Sequence, residues 1–436
     1  MPTPFHMAWF LQGSSVQAWG EPWTGNIGDD WMSADLFKDL ARAIERACFD
    51  YLLIEDSIYI GETWQNSRDL FLKTGLCVPR QEPSVVATLM AAVTSHLGIV
   101  PTLSTFAYHP YLTARIVGSL DQISGGRAGW NAVTGFADLS ARNFGLDGME
   151  DHDERYVMAD EYVAIVKQLW DSWEPGATIA DRKSGVLFDP SKVHTIDFKG
   201  KYYSSRGPLN SGPAPQGRPV IAQAGGSSAG RAFAATHADT IVAAPNGIEN
   251  MKRYRDEIRA SMVAMGRDPD SCKILYLLSP VVAETEDQAR WYAEQRGIRA
   301  AANIEARLAR LGWSLNIDFA QFDLDQPVGE LTTNGTQSTL HNFLMRAGKN
   351  TLREAVIANN STGYCVDVVG TPDSAAAQMG EIMEEVGGDG FLIALSDVSR
   401  RSVATITDGL MPELQQRGLT RKAYEHKHLR DNLLAF

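Results

Sequence analysis

The chain has 436 residues, 44% of them hydrophobic and 21% charged, and a formal net charge of −13. That length accommodates one large α/β barrel or two ordinary domains, and the composition is that of a soluble globular protein with a sizeable core. An acidic balance without any basic run argues against a nucleic-acid partner.

The most apolar stretch, Ser84 to Thr102, is interrupted by His96 and Pro101, so no membrane span is expected. The N-terminus (Met1-Pro2-Thr3-Pro4) shows no basic region followed by a cleavable apolar segment, which predicts a cytoplasmic protein. Cys48, Cys77, Cys272 and Cys365 are scattered without metal or redox spacing and read as reduced core thiols.

Taken in chain order, strand and helix patterns alternate. Phe5 to Phe10 reads as a short buried strand, and Gly13 to Trp31 as a loop rich in Gly and Trp. Ser33 can cap a helix whose apolar residues Leu36, Leu40, Ile44 and Cys48 recur at helical spacing. Tyr51 to Ile54 is a strand ending in Glu55-Asp56, followed by a long loop to Arg80. Pro83 opens a helix through Val85, Leu89, Val93 and His96, which hands over to the strand Gly98 to Ser104. Pro110 is placed as the first residue of a helix to Ile123, with Leu112, Ile116, Leu120 and Ile123 as its expected buried stripe.

Ser124-Gly125-Gly126 ends that helix, because glycine takes a positive φ without steric cost. Arg127 to Val133 follows as the fourth strand, and Asp153 to Trp170 is helical with Tyr162, Val166, Leu169 and Trp170 on one face. Residues 173–218, rich in Gly, Pro and Ser, form a first insertion. Then come a strand Pro219 to Gln223, a helix to His237, a strand Thr240 to Ala244 and a helix Ile248 to Met265. A strand Lys273 to Val282 and a long helix Asp287 to Leu311 follow, and residues 313–365 form a second, irregular insertion of a size suited to a lid or dimer arm. Thr371 and Pro372 start a helix that ends at Gly387-Gly388, and Gly390 to Ala394 is the last strand.

Eight strands, nearly all followed by a helix, predict a (β/α)8 barrel over a doubly wound sheet, as a single domain of residues 1–436 with insertions at 173–218 and 313–365. In a barrel the candidate residues lie at strand C-terminal ends. Here these are Asp56, Ser104-Thr105, Thr134-Gly135, Gly225 to Ser228 and Ser396-Asp397, each of which also suits a cap or a turn. The turn Ala224-Gly225-Gly226-Ser227-Ser228 pairs glycines, which let a ligand approach the backbone, with hydroxyls and a helix N-terminus; that combination suits a phosphate. It does not match a dinucleotide fingerprint. His152-Asp153-Glu154-Arg155-Tyr156 opens a helix, and its Arg and Tyr can reach an anion at a neighbouring terminus. The histidines show no ligand spacing apart from His426 and His428, read as a solvated C-terminal tail, so no metal site is expected. No nucleophile elbow is present, which leaves the chemistry to a bound cofactor.

Leu120 to Arg127 followed by Trp130-Asn131-Ala132-Val133-Thr134 resembles the signature of the nitrilotriacetate monooxygenase component A family, within the bacterial-luciferase-like flavin monooxygenases. That family also includes dibenzothiophene-sulfone, long-chain alkane and pristinamycin-type enzymes. Further matches in the same order are Glu82-Pro83 with Ala91 to Thr94, Asn143-Phe144-Gly145, His152 to Tyr156, Asp160-Glu161-Tyr162, Gln216 to Val220 and Gln223-Ala224-Gly225.

The resemblance implies a barrel that takes reduced FMN from a separate NAD(P)H:flavin reductase and uses O2 to oxygenate a small organic substrate, as a homodimer or homotetramer. Carried over position by position, it implies Asp56 and Ser104 near the flavin ring and ribityl chain, and Tyr156, Gly226 and Ser227 on the phosphate side with His152 and Arg155 beside them. The position after Thr134 is commonly Ser in such proteins; here it is Gly135, able to serve only through its backbone, and the next residue is Phe136, where alkane-type members carry His.

Trp9, Phe10, Trp19 and Tyr59 could line an aromatic pocket, Arg68, Lys73 and Arg80 could meet a carboxylate, and His341 is the candidate for a proton on the substrate side. Two other readings stay open: a deazaflavin-dependent hydride-transfer enzyme on the same barrel, and a flavin-binding protein without turnover.

Overall fold

The computed structural model describes residues 3–12, 32–358, 364–395 and 398–436. The expectations placed on the Gly13 to Trp31 loop, including Trp19, and on Ser396-Asp397 lie outside the described residues.

Eight parallel strands close into a barrel in chain order. They are β1 His6–Leu11, β2 Tyr51–Ile54, β3 Gly98–Ser104, β4 Gly129–Val133, β5 Val220–Gln223, β6 Thr240–Ala243, β7 Lys273–Leu278 and β8 Gly390–Ala394. The helices that cover the barrel are α1 Ala34–Arg46, α2 Pro83–Ala91, α3 Pro110–Ser124, α4 His152–Asp171, α5 Ser228–His237 and α6 Ile248–Ala264. After β7 come α7 Glu286–Ala302, α8 Ile304–Leu315 and α9 Gln337–Ala347, and α10 Pro372–Val386 leads back to β8.

Alternation along each strand sorts the side chains into two layers. Ala8, Phe10, Tyr51, Leu53, Val100, Val220, Ala222, Val242, Leu275, Leu392 and Ala394 fill the barrel interior. Met7, Trp9, Leu52, Ile99, Trp130, Ile221, Ile241, Ile274 and Ile393 pack outward against the helices. Trp9 is therefore core, wedged on Phe49 with ring centroids 5.9 Å apart, and cannot line a pocket in the mouth.

Local chemistry sets most element ends. The Ser33 side chain accepts from Asp35 N, Pro110 stands in the first turn of α3, and the Thr371 side chain accepts from Ser374 N at the start of α10. Gly125 caps α3 at φ 72°, and Gly126 follows at φ 97°. The buried Arg127 donates to the carbonyls of Ala91, Thr94, Leu97 and Ser124, and Trp130 Nε1 donates to Leu103 O; both brace the barrel wall.

Several expectations need correcting. Leu112 and Ile123 are exposed, and α3 instead buries Thr113, Ala114, Val117, Gly118, Leu120 and Asp121. A face of small residues lets the helix lie close to its neighbours, and apolarity alone points to the wrong stripe. The long helix after β7 breaks at Asn303, and the region read as irregular contains α9 and a further helix, Leu352–Ala358. Val281–Val282 pairs with Val369–Gly370 at the neck of this excursion. Its helices form their own apolar cluster around Leu308, Leu315, Phe319, Phe343 and Leu352.

The C-terminal tail is not a solvated appendage. Leu429 and Leu433 join the interior cluster, Arg421 Nη2 donates to Asp50 Oδ1 at 2.7 Å, and Arg430 pairs with Asp239 at 2.8 Å. His426 is exposed, while His428 packs against Gly126, where a Cβ would come 2.3 Å from its ring. Among the described residues, no helix is long and apolar enough to cross a membrane.

Candidate active site

The inward-facing positions turn polar towards the C-terminal ends of the strands. Tyr51 Oη and Thr240 Oγ1 meet at 3.0 Å across the interior. Above them Asn131 Nδ2 donates to Thr102 Oγ1 at 2.9 Å, while Asn131 Oδ1 is buried with no hydrogen-bond partner among the described residues. Ser104 is buried beside it, its hydroxyl 3.3 Å from Val133 O.

At the end of β5 the chain makes a tight cradle. Gln223 Oε1 accepts from Gly225 N at 2.7 Å, Tyr254 Oη donates to Gly225 O at 3.0 Å, and Ser227 Oγ accepts from Gly230 N as the cap of α5. A Cβ on Gly225 would fall 2.7 Å from Gly230 Cα, and one on Gly230 would fall 2.8 Å from Tyr156 Oη and 3.1 Å from Ser227 Oγ. The Tyr156 hydroxyl thus stands among Ser227, Thr134 and Gln223, and burial raises its pKa despite those hydrogen-bonding neighbours.

Arg155 is buried and spans from Glu150 O at 2.7 Å to Asn334 O at 2.9 Å, while its Nε has no partner among the described residues. His152 is turned to Asp153, with 2.7 Å between Nδ1 and Oδ1, and its ring lies edge-on to Tyr156 at 5.3 Å. The second insertion closes over this end: a Cβ on Gly226 would meet Ser338 Cβ at 2.8 Å, which sets the first turn of α9 over the cradle. The cradle glycines, the Ser227 cap and the Tyr156 hydroxyl fit an anionic group such as a cofactor phosphate.

The other side of the mouth is ionisable. Burial pushes the Asp56 carboxyl up to about 7, Arg80 pulling it down and Glu82 and Glu55 adding to the rise. Arg80 Nη1 is held by Glu55 Oε2 at 2.7 Å, and its guanidinium lies 5.8 Å from the Trp313 ring. Trp313 stacks on Tyr59 at 5.6 Å, and Phe136 meets both rings edge-on. Phe136 is thus a wall residue of this aromatic cluster, tying β4 to α8.

A cavity of about 750 Å³, bordered by Asp56, Tyr59, Arg80, Glu82, Tyr108 and Asn143, opens on this side. Neither Ser104 nor Ser227 borders it.

Gly135 has φ 76°, and a Cβ there would come 2.7 Å from the Phe106 ring and 2.8 Å from Met149 Cε. A serine cannot take this place without displacing them. Arg68 and Lys73 are exposed on the long loop, Lys73 facing Asp69 at 3.7 Å. His341 is exposed on α9, one turn beyond Ser338. The candidate residues near β2, β3, β4 and β5 therefore gather at one mouth, with His341 on its outer rim. Sequence reasoning missed Asn334, Ser338 and Trp313, which lie in the second insertion and carry no local signal of contact with the barrel. Among the described residues, no group of three or more His, Cys, Asp or Glu is placed to hold a metal ion.

A closed parallel barrel with polar strand ends, an anion cradle and a covering insertion at one mouth defines a barrel enzyme. The chain belongs to the luciferase-like monooxygenase family, whose model matches residues 11–390. It is similar to the dibenzothiophene-sulfone monooxygenase of Rhodococcus erythropolis strain XP, at 34% identity covering 98% of this chain and 96% of that one. Nitrilotriacetate monooxygenase component A of Aminobacter aminovorans is 34% identical over 91% of this chain and 89% of its own length. Among solved structures, a riboflavin lyase holding modified FMN and riboflavin superposes with a TM-score of 0.90 at 32% identity, covering 100% of this chain and 96% of that one. The chain is accordingly a flavin-dependent monooxygenase, and membership implies reduced flavin and O2 as its co-substrates.

Proposed function

We propose that the protein is the oxygenase component of a two-component system, receiving reduced FMN from a separate NAD(P)H:flavin reductase and oxygenating a small organic substrate in the cytoplasm, as a homo-oligomer. The observation that carries this reading is the cradle at the end of β5, where the Ser227 cap and the Tyr156 hydroxyl meet at Gly230, with the buried Arg155 next to Tyr156 on α4. A single terminal phosphate, as in FMN, suits hydroxyls gathered at the N-terminus of a helix. The relative called component A supports the two-component arrangement.

In this reading Tyr156, Ser227 and Arg155 hold the phosphate, with Gly226 allowing its close approach and His152 packing Tyr156 in place. Ser104 and Asn131 face the body of the cofactor from the barrel interior, and Gly135 offers only backbone. Bound reduced flavin supplies the electrons that activate O2.

Asp56, with a pKa near neutrality, can hold and return a proton at its carboxyl oxygen beside the reacting centre. His341, exposed on the rim, does not take that role. The Tyr59, Phe136 and Trp313 cluster and α9 shield the mouth from water, which limits wasteful loss of activated oxygen.

Anaerobic titration with reduced FMN and with reduced deazaflavin tests the cofactor, and oxygen uptake with a substrate panel tests turnover. Preferential binding of reduced FMN and substrate-dependent oxygen uptake are expected. Tight deazaflavin binding without oxygen uptake would instead establish the hydride-transfer reading, and flavin binding without any turnover the non-catalytic one.

A further inference from the structure

Arg310, on α8, is half-buried and makes no hydrogen bond or ion pair with any described residue. Its charge is felt by Cys77, Tyr364, Glu55 and Arg80, and its helix neighbours Ala309 and Trp313 pack with Cys77 and against the Arg80 guanidinium, which sets this part of α8 beside the end of β2. None of these neutralises it. Glu55 is already engaged by Arg80 at 2.7 Å. Burial raises the pKa values of the Cys77 thiol and the Tyr364 phenol, so both stay neutral. Arg307, one turn earlier on the same helix, is turned away and donates to Val356 O at 3.0 Å.

The surroundings are built rather than incidental. Tyr364 has φ 66°, a conformation that a bulky residue holds only when its contacts enforce it. Gln12 Nε2, at the end of β1, donates to its hydroxyl at 2.8 Å, and Asn246 Nδ2 reaches its carbonyl at 3.4 Å. A half-buried guanidinium without a protein acceptor is open to a ligand, and its planar fork matches a carboxylate in two parallel hydrogen bonds. In an eight-stranded barrel running in chain order, β1 lies opposite β5, whose end carries the cradle, and β2 is next to β1. Two anionic groups can therefore bind at once without sharing a cation.

We propose that Arg310, near Tyr364 and its partner Gln12, seats a carboxylate of the substrate, so that the enzyme acts on small organic acids. This rests on the monooxygenase reading above, since it assigns the cradle to the cofactor and the opposite side to the substrate.

Calorimetric titration of flavin-free protein with succinate against succinamide, and benzoate against benzamide, tests it. At least one acid should bind about tenfold or more tightly than its amide, the worth of a charge-assisted hydrogen bond. Arg310→Gln should remove that preference while leaving the affinity for reduced FMN within about twofold, and Arg310→Lys should retain part of it. A melting curve for each variant separates misfolding from lost recognition.

Equal binding of acid and amide by the native protein, or no binding of either, overturns the proposal, as does a preference that survives in Arg310→Gln. Loss of reduced-FMN affinity in Arg310→Gln with acid binding intact would assign the arginine to the flavin and also overturn it. A native protein that prefers acids but fails to bind reduced FMN would sink the flavin reading and leave the carboxylate seat standing.

Discussion

Arg155 donates from Nη2 to the backbone carbonyl of Asn334 at 2.9 Å, tying the helix that carries Tyr156 to the second insertion. Asn334 returns the contact through its side chain, Nδ2 lying 3.2 Å from Glu150 O and Oδ1 lying 3.3 Å from Arg155 Nη1. The insertion is thus latched beside the cradle. Asn334→Ala keeps the backbone bond and removes the side-chain ones, a change of about 1 kcal/mol. Its expected result is a higher yield of hydrogen peroxide per reduced flavin consumed, read with a peroxidase-coupled assay.

Tyr156 and Ser227 face the same small volume, their oxygens both within reach of Gly230. Tyr156→Phe and Ser227→Ala should each weaken reduced-FMN binding by about 1 kcal/mol or more, as loss of a hydrogen bond to a charged group does. Because the two residues are neighbours, the double variant should depart from the sum of the single effects. Unchanged affinity in both single variants refutes the phosphate assignment.

Gly135 combines a left-handed φ of 76° with crowding from Phe106 and Met149. Gly135→Ser should cost about 1–3 kcal/mol of stability from backbone strain alone, measured by denaturant unfolding. Pairing it with Phe106→Leu should recover the crowding part and leave the strain.

Asp56 has a pKa raised from the ordinary 3.8 to about 7, chiefly by burial, with Arg80 opposing the rise and Glu82 and Glu55 adding to it. The folded protein then binds more protons than the unfolded chain between those values, so this group makes stability fall as pH rises from about 4 to about 7. Asp56→Asn should flatten that slope and raise stability at pH 8. It should also remove the inflection near pH 7 from the pH–rate profile, and an inflection that persists assigns it to another group.

Much of the barrel was legible because strand alternation, helix caps and glycine stops are local. Tyr51–Ile54, Gly98–Ser104 and Gly390–Ala394 lie where the alternation places them, and Ser33, Pro110, Gly125 and Thr371 begin or end helices by their own chemistry. Polar residues at strand ends pointed to the mouth for the same reason. The buried face of α3 was not legible, since small residues packed between helices are indistinguishable from exposed ones without their neighbours.

Contacts between distant segments were decided by tertiary structure alone. Asn334 meets Arg155, Ser338 meets Gly226, Phe136 meets Trp313, and Arg421 meets Asp50, all far apart in sequence. The lack of a partner for Arg310 among the described residues and the raised pKa of Asp56 belong to the same class. Burial and partnership are set by whatever the folded chain brings alongside, and no short-range pattern encodes them.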